Sequence, residues 1–154
     1  MRRKKQVKRE PSPDSKYGNV VITKFVNYLM YDGKKSVAQK VFYGALDTLE
    51  KQGKNPLEVF DLAIKNVSPQ VEVRSRRIGG ANYQVPREVR GDRKLYLAIR
   101  WLIDSARKKK GKPMAEKLAE EFVMAANNEG VAIKKKMDTH RMADANKAFA
   151  HFAW

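Results

Sequence analysis

VEVRSRRIGGANYQVPREVRG, residues 71–91, interrupts a chain that otherwise reads as helix. Val71 and Val73 flank Glu72 with the period of two expected of a half-buried strand. Gly79-Gly80 suits a tight turn whose central residues need positive φ. The chain then returns through Tyr83 and Val85. These signals predict a β-hairpin over about residues 71–89. Pro86 fits an edge position, and a two-stranded ribbon has two edges. Val71 and Val73 can pack its base. Farther out there is no apolar face, so the tip is expected to stand in solvent. A free ribbon of this kind is marginal alone and makes sense under a negatively charged cover. Arg74, Arg76 and Arg77 offer forked donors for phosphate, and the two glycines allow close backbone approach. Tyr83 can stack on a base or pack across the ribbon.

Helical periodicity rules on both sides. Asn19 is a fair N-cap for a first helix, with Val21, Phe25, Tyr28 and Leu29 on one face and Gly33 as its stop. A second helix spans about 36–51, with a stripe of Val37, Val41, Ala45 and Leu49 flanked by Ala38, Phe42 and Leu46. Asn55 and Pro56 start a third, which stops before Ser68 and Pro69. Asp92 is expected to cap a fourth helix reaching Lys109, with Leu95, Ile99, Leu102, Ile103 and Ala106 inward. A fifth covers about 113–127. A sixth ends near Ala150 and starts between Ala132 and Thr139, with Met142, Ala145 and Phe149 as its stripe and "VAIKKK" as a connector if the start is late. The fold class is therefore mainly α: a single domain of about six helices, residues 19–154, with one protruding hairpin between the third and fourth. Residues 1–18 hold seven basic residues and two acids and bury little apolar surface, so they read as a basic, largely unstructured arm that orders on a polyanion.

Charge narrows the function. The 154 residues carry 33 Lys and Arg against 17 Asp and Glu, a net +16. A polyanion partner is the leading expectation, with a merely solvated basic surface as the bland alternative. There is no cysteine, which excludes disulfides, thiolate metal sites and a cysteine nucleophile. His140 and His151 are the only histidines and have no spaced partners for a metal or a triad. "GKKS" at 33–36 fails as a phosphate loop, because Lys35 separates Lys34 from Ser36 and Tyr28 stands where the first glycine belongs. No catalysis, cofactor or metal is expected. No apolar run suits a membrane span, and the first residues lack the apolar core of a secretory signal.

The basic residues fall into four groups. The arm supplies Arg2, Arg3, Lys4, Lys5, Lys8 and Arg9. Lys34 and Lys35 sit at the turn after the first helix. The hairpin joins the fourth helix, where Arg93, Arg100 and Arg107 are spaced by seven and share a face beside Tyr96. Such a stripe can meet phosphates and stack on a sugar or base. The last group is the tract Arg107, Lys108, Lys109, Lys110 and Lys112, five basic residues in six positions. That exceeds what a helix C-terminus needs to offset its dipole. From residues alone, helices with a basic ribbon also fit a DNA-binding or architectural module.

Three stretches in order carry a family resemblance: NVVITKFVNYLMYDGKKSVAQKVFYGA at 19–45, EVRSRRIGGANYQVPREV at 72–89 and THRMADANKAFAHF at 139–152. The chain resembles the bacterial type of the small-subunit ribosomal protein seven family over nearly its whole length. The resemblance implies a helical domain with an extended ribbon that binds the 3′ major domain of small-subunit ribosomal RNA in the cytoplasm. It implies nucleation of head assembly, a position near the transfer-RNA exit site, and contact with the ninth and eleventh small-subunit proteins. It further implies repression of the protein's own operon, with the operon messenger RNA as ligand. Carried over by motif, RNA contacts fall on Lys34, Lys35, Arg74, Arg76, Arg77, Gly79, Gly80, Lys112 and Met114. Arg141, Lys147 and Trp154 are placed at exit-site or protein contacts. Phe152 and Ala153 depart from the tyrosine and arginine that often precede the terminal tryptophan, which weighs against a polar role for the last residues.

Overall fold

A computed structural model of the chain describes residues 11–153. The chain divides into two compact units, one ending at Lys40 and the other starting at Val41. Six α-helices and a terminal 3-10 helix are described, with one two-stranded antiparallel hairpin between the third and fourth helices.

In the first unit, helix α1 is Val20–Leu29 and α2 begins at Lys35. Asn19 caps α1, its side-chain oxygen accepting from the Val21 N–H at 2.8 Å. Asp14 closes a turn just before it, one carboxylate oxygen accepting from the N–H groups of Lys16 and Tyr17 at 3.1 Å each. The Thr23 hydroxyl donates to the Ser12 carbonyl at 2.9 Å, tying the preceding segment to the helix. The buried face of α1 is Ile22, Phe25, Val26 and Leu29, while Tyr28 is exposed. The face is thus rotated by about one residue from the expected stripe, because Val21 and Tyr28 also fit a period near four. Similarly, Val37 of α2 is exposed and Ala38 is buried. Helix α1 stops at Leu29, and the left-handed residues Asp32 and Gly33 belong to the turn that follows.

The second unit holds the rest of α2 to Lys51, α3 Pro56–Val67, β1 Val71–Ile78, β2 Ala81–Glu88, α4 Gly91–Lys108, α5 Met114–Ala126, α6 Gly130–Ala145 and the 3-10 helix Lys147–Phe152. Its centre is aromatic. Phe42, Phe60 and Phe122 are fully buried and meet edge to face, with ring centroids 5.5 to 6.3 Å apart. Leu46, Leu49, Ile99, Leu102, Ile103 and Leu118 are buried with them. Asn55 caps α3 through the Leu57 N–H, as its Asn-Pro signal predicts. Near the end of α3, the Asn66 amide donates to the carbonyls of Ala125 and Ala126 at 3.1 and 2.8 Å. That satisfies the Ala126 acceptor left over at the end of α5 and adds a second donor to Ala125, which also accepts from the Asn128 N–H at 3.1 Å. The Asn66 carbonyl in turn accepts from Lys136 Nζ at 2.7 Å. One residue thereby joins α3, α5 and α6.

Two local signals behave differently from expectation. Helix α4 starts at Gly91 without a side-chain cap, and Asp92 lies in its first turn. Helix α6 starts at Gly130, so Asp138 and the run "VAIKKK" lie inside it. Its start is set from a distance: the buried Glu121 carboxylate of α5 accepts from the Ala132 N–H at 3.3 Å. Gly130 has φ +92, and a Cβ there would lie 3.2 Å from Met124 Cβ and 3.3 Å from the Glu121 oxygen. The positive φ favours glycine, and the tight space would make Met124 or Glu121 shift by a few tenths of an ångström for any side chain. The expected last helix is broken near Ala145 and continues as the 3-10 turn, and Met142 faces solvent while Ala143 is buried.

Candidate nucleic-acid interface

The ribbon pairs Val71 with Glu88 and Ile78 with Ala81, leaving Gly79 and Gly80 as a two-residue turn. Their φ values, +55 and +88, are those of a type I′ turn. A Cβ at either would meet nothing within 4 Å, so the backbone conformation alone selects glycine.

Strand periodicity sorts the ribbon into two faces. Glu72, Arg74, Arg76, Tyr83 and Val85 lie on one, Ser75, Arg77, Asn82 and Gln84 on the other. Contrary to the expectation of a bare outer ribbon, the first face is covered. Tyr83 packs on Phe149 and Phe152 of the terminal 3-10 helix, with centroids 5.2 and 5.6 Å apart. Arg76 Nη1 donates to the Phe152 carbonyl at 3.0 Å. Val85 is the fully buried anchor, whereas Val71 and Val73 are half-buried. On the opposite face Val71 and Val73 lie toward the base, while Ser75, Arg77, Asn82 and Gln84 farther out are exposed, and Arg77 pairs with none of the described residues.

Glu72 joins ribbon to helix. Its two oxygens hold Arg74 at 2.8 Å and Arg93 of α4 at 3.2 Å. Arg93 also lies 4.9 Å over the Tyr96 ring. Arg93, Arg100 and Arg107 are all exposed, and Ala98, Ile99, Leu102, Ile103 and Ala106 fill the buried side of the same helix. Arg100 pairs with Asp104 one turn on, at 3.3 Å. Exposed pairs of this sort are weak and orient more than they stabilise. At 1.5 Å per residue the stripe is about 21 Å long. It runs from the base of the ribbon to the basic tract at the far end of α4.

In the tract, Lys108 and Lys110 are exposed. Lys109 turns inward, its Nζ 3.0 Å from Glu121 and 3.8 Å from Glu120. Lys112 bonds Glu120. That hydrogen bond, helped by the charge of Glu120, raises Lys112 above the ordinary lysine pKa. The same bond holds Glu120 below the ordinary carboxylate value, against an opposing effect of desolvation. Met114 is half-buried at the start of α5.

Lys34 and Lys35 are exposed in the first unit. Arg141 is exposed on α6, and Lys147 is exposed at the head of the 3-10 helix. Arg2, Arg3, Lys4, Lys5, Lys8, Arg9 and Trp154 lie outside the described residues. Sequence reasoning overlooks Glu72, although it shares a strand face with Arg74 by simple alternation. It also overlooks Glu120 and Glu121, for which no spacing signal exists because their partners lie across a turn. Among the described residues no cluster of acidic or histidine side chains could hold a metal ion. No described helix is long and apolar enough to cross a membrane.

Known proteins resemble the chain along its whole length. The family described as ribosomal protein S7p/S5e matches residues 1–147. A small ribosomal subunit protein uS7 from Fervidobacterium nodosum is 62% identical, with all of both chains covered. The protein of the same name from Thermotoga neapolitana is 58% identical over all of both chains. A third, from Granulibacter bethesdensis, is 58% identical over 99% of each. Matched from end to end at such identity, the chain belongs to the ribosomal protein S7p/S5e family.

Proposed function

We propose that the chain binds the 3′ major domain of small-subunit ribosomal RNA and nucleates assembly of the subunit head. Membership of the family makes it a structural, non-enzymatic constituent of the small ribosomal subunit, with ribosomal RNA as partner and the ribosome in the cytoplasm as its place. The observation that carries the RNA-binding reading is the stripe Arg93, Arg100 and Arg107, exposed along one helix and continuous with the ribbon base and the tract. Seven-residue steps of about 10 Å spread the three guanidinium groups over phosphates along a groove rather than at one point. The exposed ribbon face with Arg77 and the glycine turn is the second contact, and Lys34 and Lys35 with the N-terminal arm are a further one. The 3-10 helix with Lys147, together with Arg141, serves contacts near exit-site transfer RNA and to the ninth and eleventh small-subunit proteins. The operon messenger RNA is a ligand by the same phosphate chemistry.

Filter binding to 3′ domain RNA across a salt series tests this. Affinity is expected to fall steeply with salt, and replacing Arg93, Arg100 and Arg107 by Gln is expected to lower the logarithmic slope by about two to three. An unchanged slope removes the stripe from the interface. Duplex DNA that competes as well as the RNA overturns the RNA reading in favour of a general polyanion binder.

A further inference from the structure

The basic tract is not uniform. Lys108 and Lys110 are exposed, while Lys109 between them sends its ammonium into the protein. Lys109 is where the chain leaves α4, with extended φ −68 and ψ 141. Its Nζ and the nearer Glu121 oxygen are both buried, and neither has a hydrogen-bond partner among the described residues beyond their 3.0 Å ionic contact. Glu121 itself is fully buried, and its other oxygen accepts from the Ala132 N–H. Pulling Lys109 out to a phosphate would strand that carboxylate without a countercharge, which buried groups resist.

We propose that Lys109 is a positioning residue rather than an RNA ligand. Paired with Glu121, it pins the exit of α4 so that Lys108 and Lys110 are held outward, toward RNA. The pin is anchored deeply. Glu121 is fixed by the start of α6, and Gly130 leaves the room it occupies. The Lys112 to Glu120 bond is a second tie on the far side of Gly111. The tract thus leaves the body between two fixed points, and its outward lysines meet phosphate with less ordering to do on binding. This inference rests on the RNA-binding reading above.

Competitive acetylation of the intact wild-type protein, free and bound to 3′ domain RNA, reads each lysine by mass spectrometry. Lys109 is expected to react slowly in the free protein, with a rate that RNA leaves unchanged, while Lys108 and Lys110 react fast when free and are protected by RNA. Fast reaction of Lys109 that RNA suppresses would overturn the proposal. Protection of neither Lys108 nor Lys110 in a complex that does form would sink the tract as an RNA contact, a separate failure. A variant series gives the second measurement. Lys110→Gln lowers the salt slope by about one. The pair Lys109→Met with Glu121→Gln, which avoids a lone buried charge, keeps the wild-type slope and loses affinity by roughly tenfold. Lys109→Arg, which can keep the pair, retains wild-type affinity. A slope reduced by one in the paired variant makes Lys109 a phosphate ligand, and full affinity with a lowered melting point makes the pair a matter of stability alone; either result refutes the assignment.

Discussion

His140 accepts a hydrogen bond from the Gln70 N–H through Nε2, at 3.1 Å, and only the unprotonated ring nitrogen can accept. Burial lowers its pKa below the ordinary 6.5; the charge of Lys136 adds to that and Asp144 opposes it. Below about 6.5 the unfolded chain takes up a proton that the folded chain resists, so stability falls as pH drops from that point until the folded pKa is passed. Urea midpoints of wild type and His140→Gln at about pH 7.5 and 5.5 check this: the wild type is expected to lose more on acidification. Asn66 is the other informative residue. Asn66→Ala leaves the Ala126 carbonyl without its donor, while Ala125 keeps the Asn128 N–H at 3.1 Å, and is expected to cost about 1–3 kcal/mol in denaturant unfolding. Neither role is legible in the sequence. His140 reads as a lone histidine and Asn66 as a helix residue before a stop, because their partners lie 70 and about 60 positions away in the chain. The caps Asn19 and Asn55 are legible, since a cap acts within three residues.

Among the elements, the hairpin announces itself best. Two glycines between alternating strands fix both turn type and register, and these are local properties. What covers the ribbon is hidden, because Phe149 reads equally well as the core residue of a sixth helix. In the structure it packs on Tyr83 instead. Phe149→Ala should therefore loosen the ribbon. Amide hydrogen exchange in β1 and β2 is expected to speed up, while exchange in α3 and α5 stays as in the wild type. Helix α6 is the least legible element for two physical reasons. Val131, Met137 and Met142 are exposed, so apolar residues point both ways around it. Its N-terminal cap comes from Glu121 on another helix, so no Ser, Asp or Asn marks the start.

For the whole molecule, the net charge of +16 acts in two opposite directions. It draws RNA, and it makes the folded chain repel itself. Added potassium chloride screens both effects. The melting temperature of the free protein is expected to rise between about 50 and 500 mM salt while RNA affinity falls. Calorimetry and filter binding on one preparation check the pair of signs, and a melting point that falls with salt would count against self-repulsion. The charge is plain in the composition, and on its own it favours polyanion binding over catalysis. How it is divided is not plain there. Of the tract's lysines, two turn to carboxylates of α5 and two stay outward, and only the packing of α4 on α5 decides which.

The tip of the ribbon has one more consequence. Gly79 and Gly80 sit where a chain of the opposite hand would be at ease, with open space around both. Synthetic D-alanine at these two sites would match the backbone and shrink the unfolded ensemble, for a gain of about 0.4–1 kcal/mol each. L-alanine at the same sites would strain the turn. The difference between the mirror forms measures how much of the ribbon's shape is stored in two residues that have no side chain.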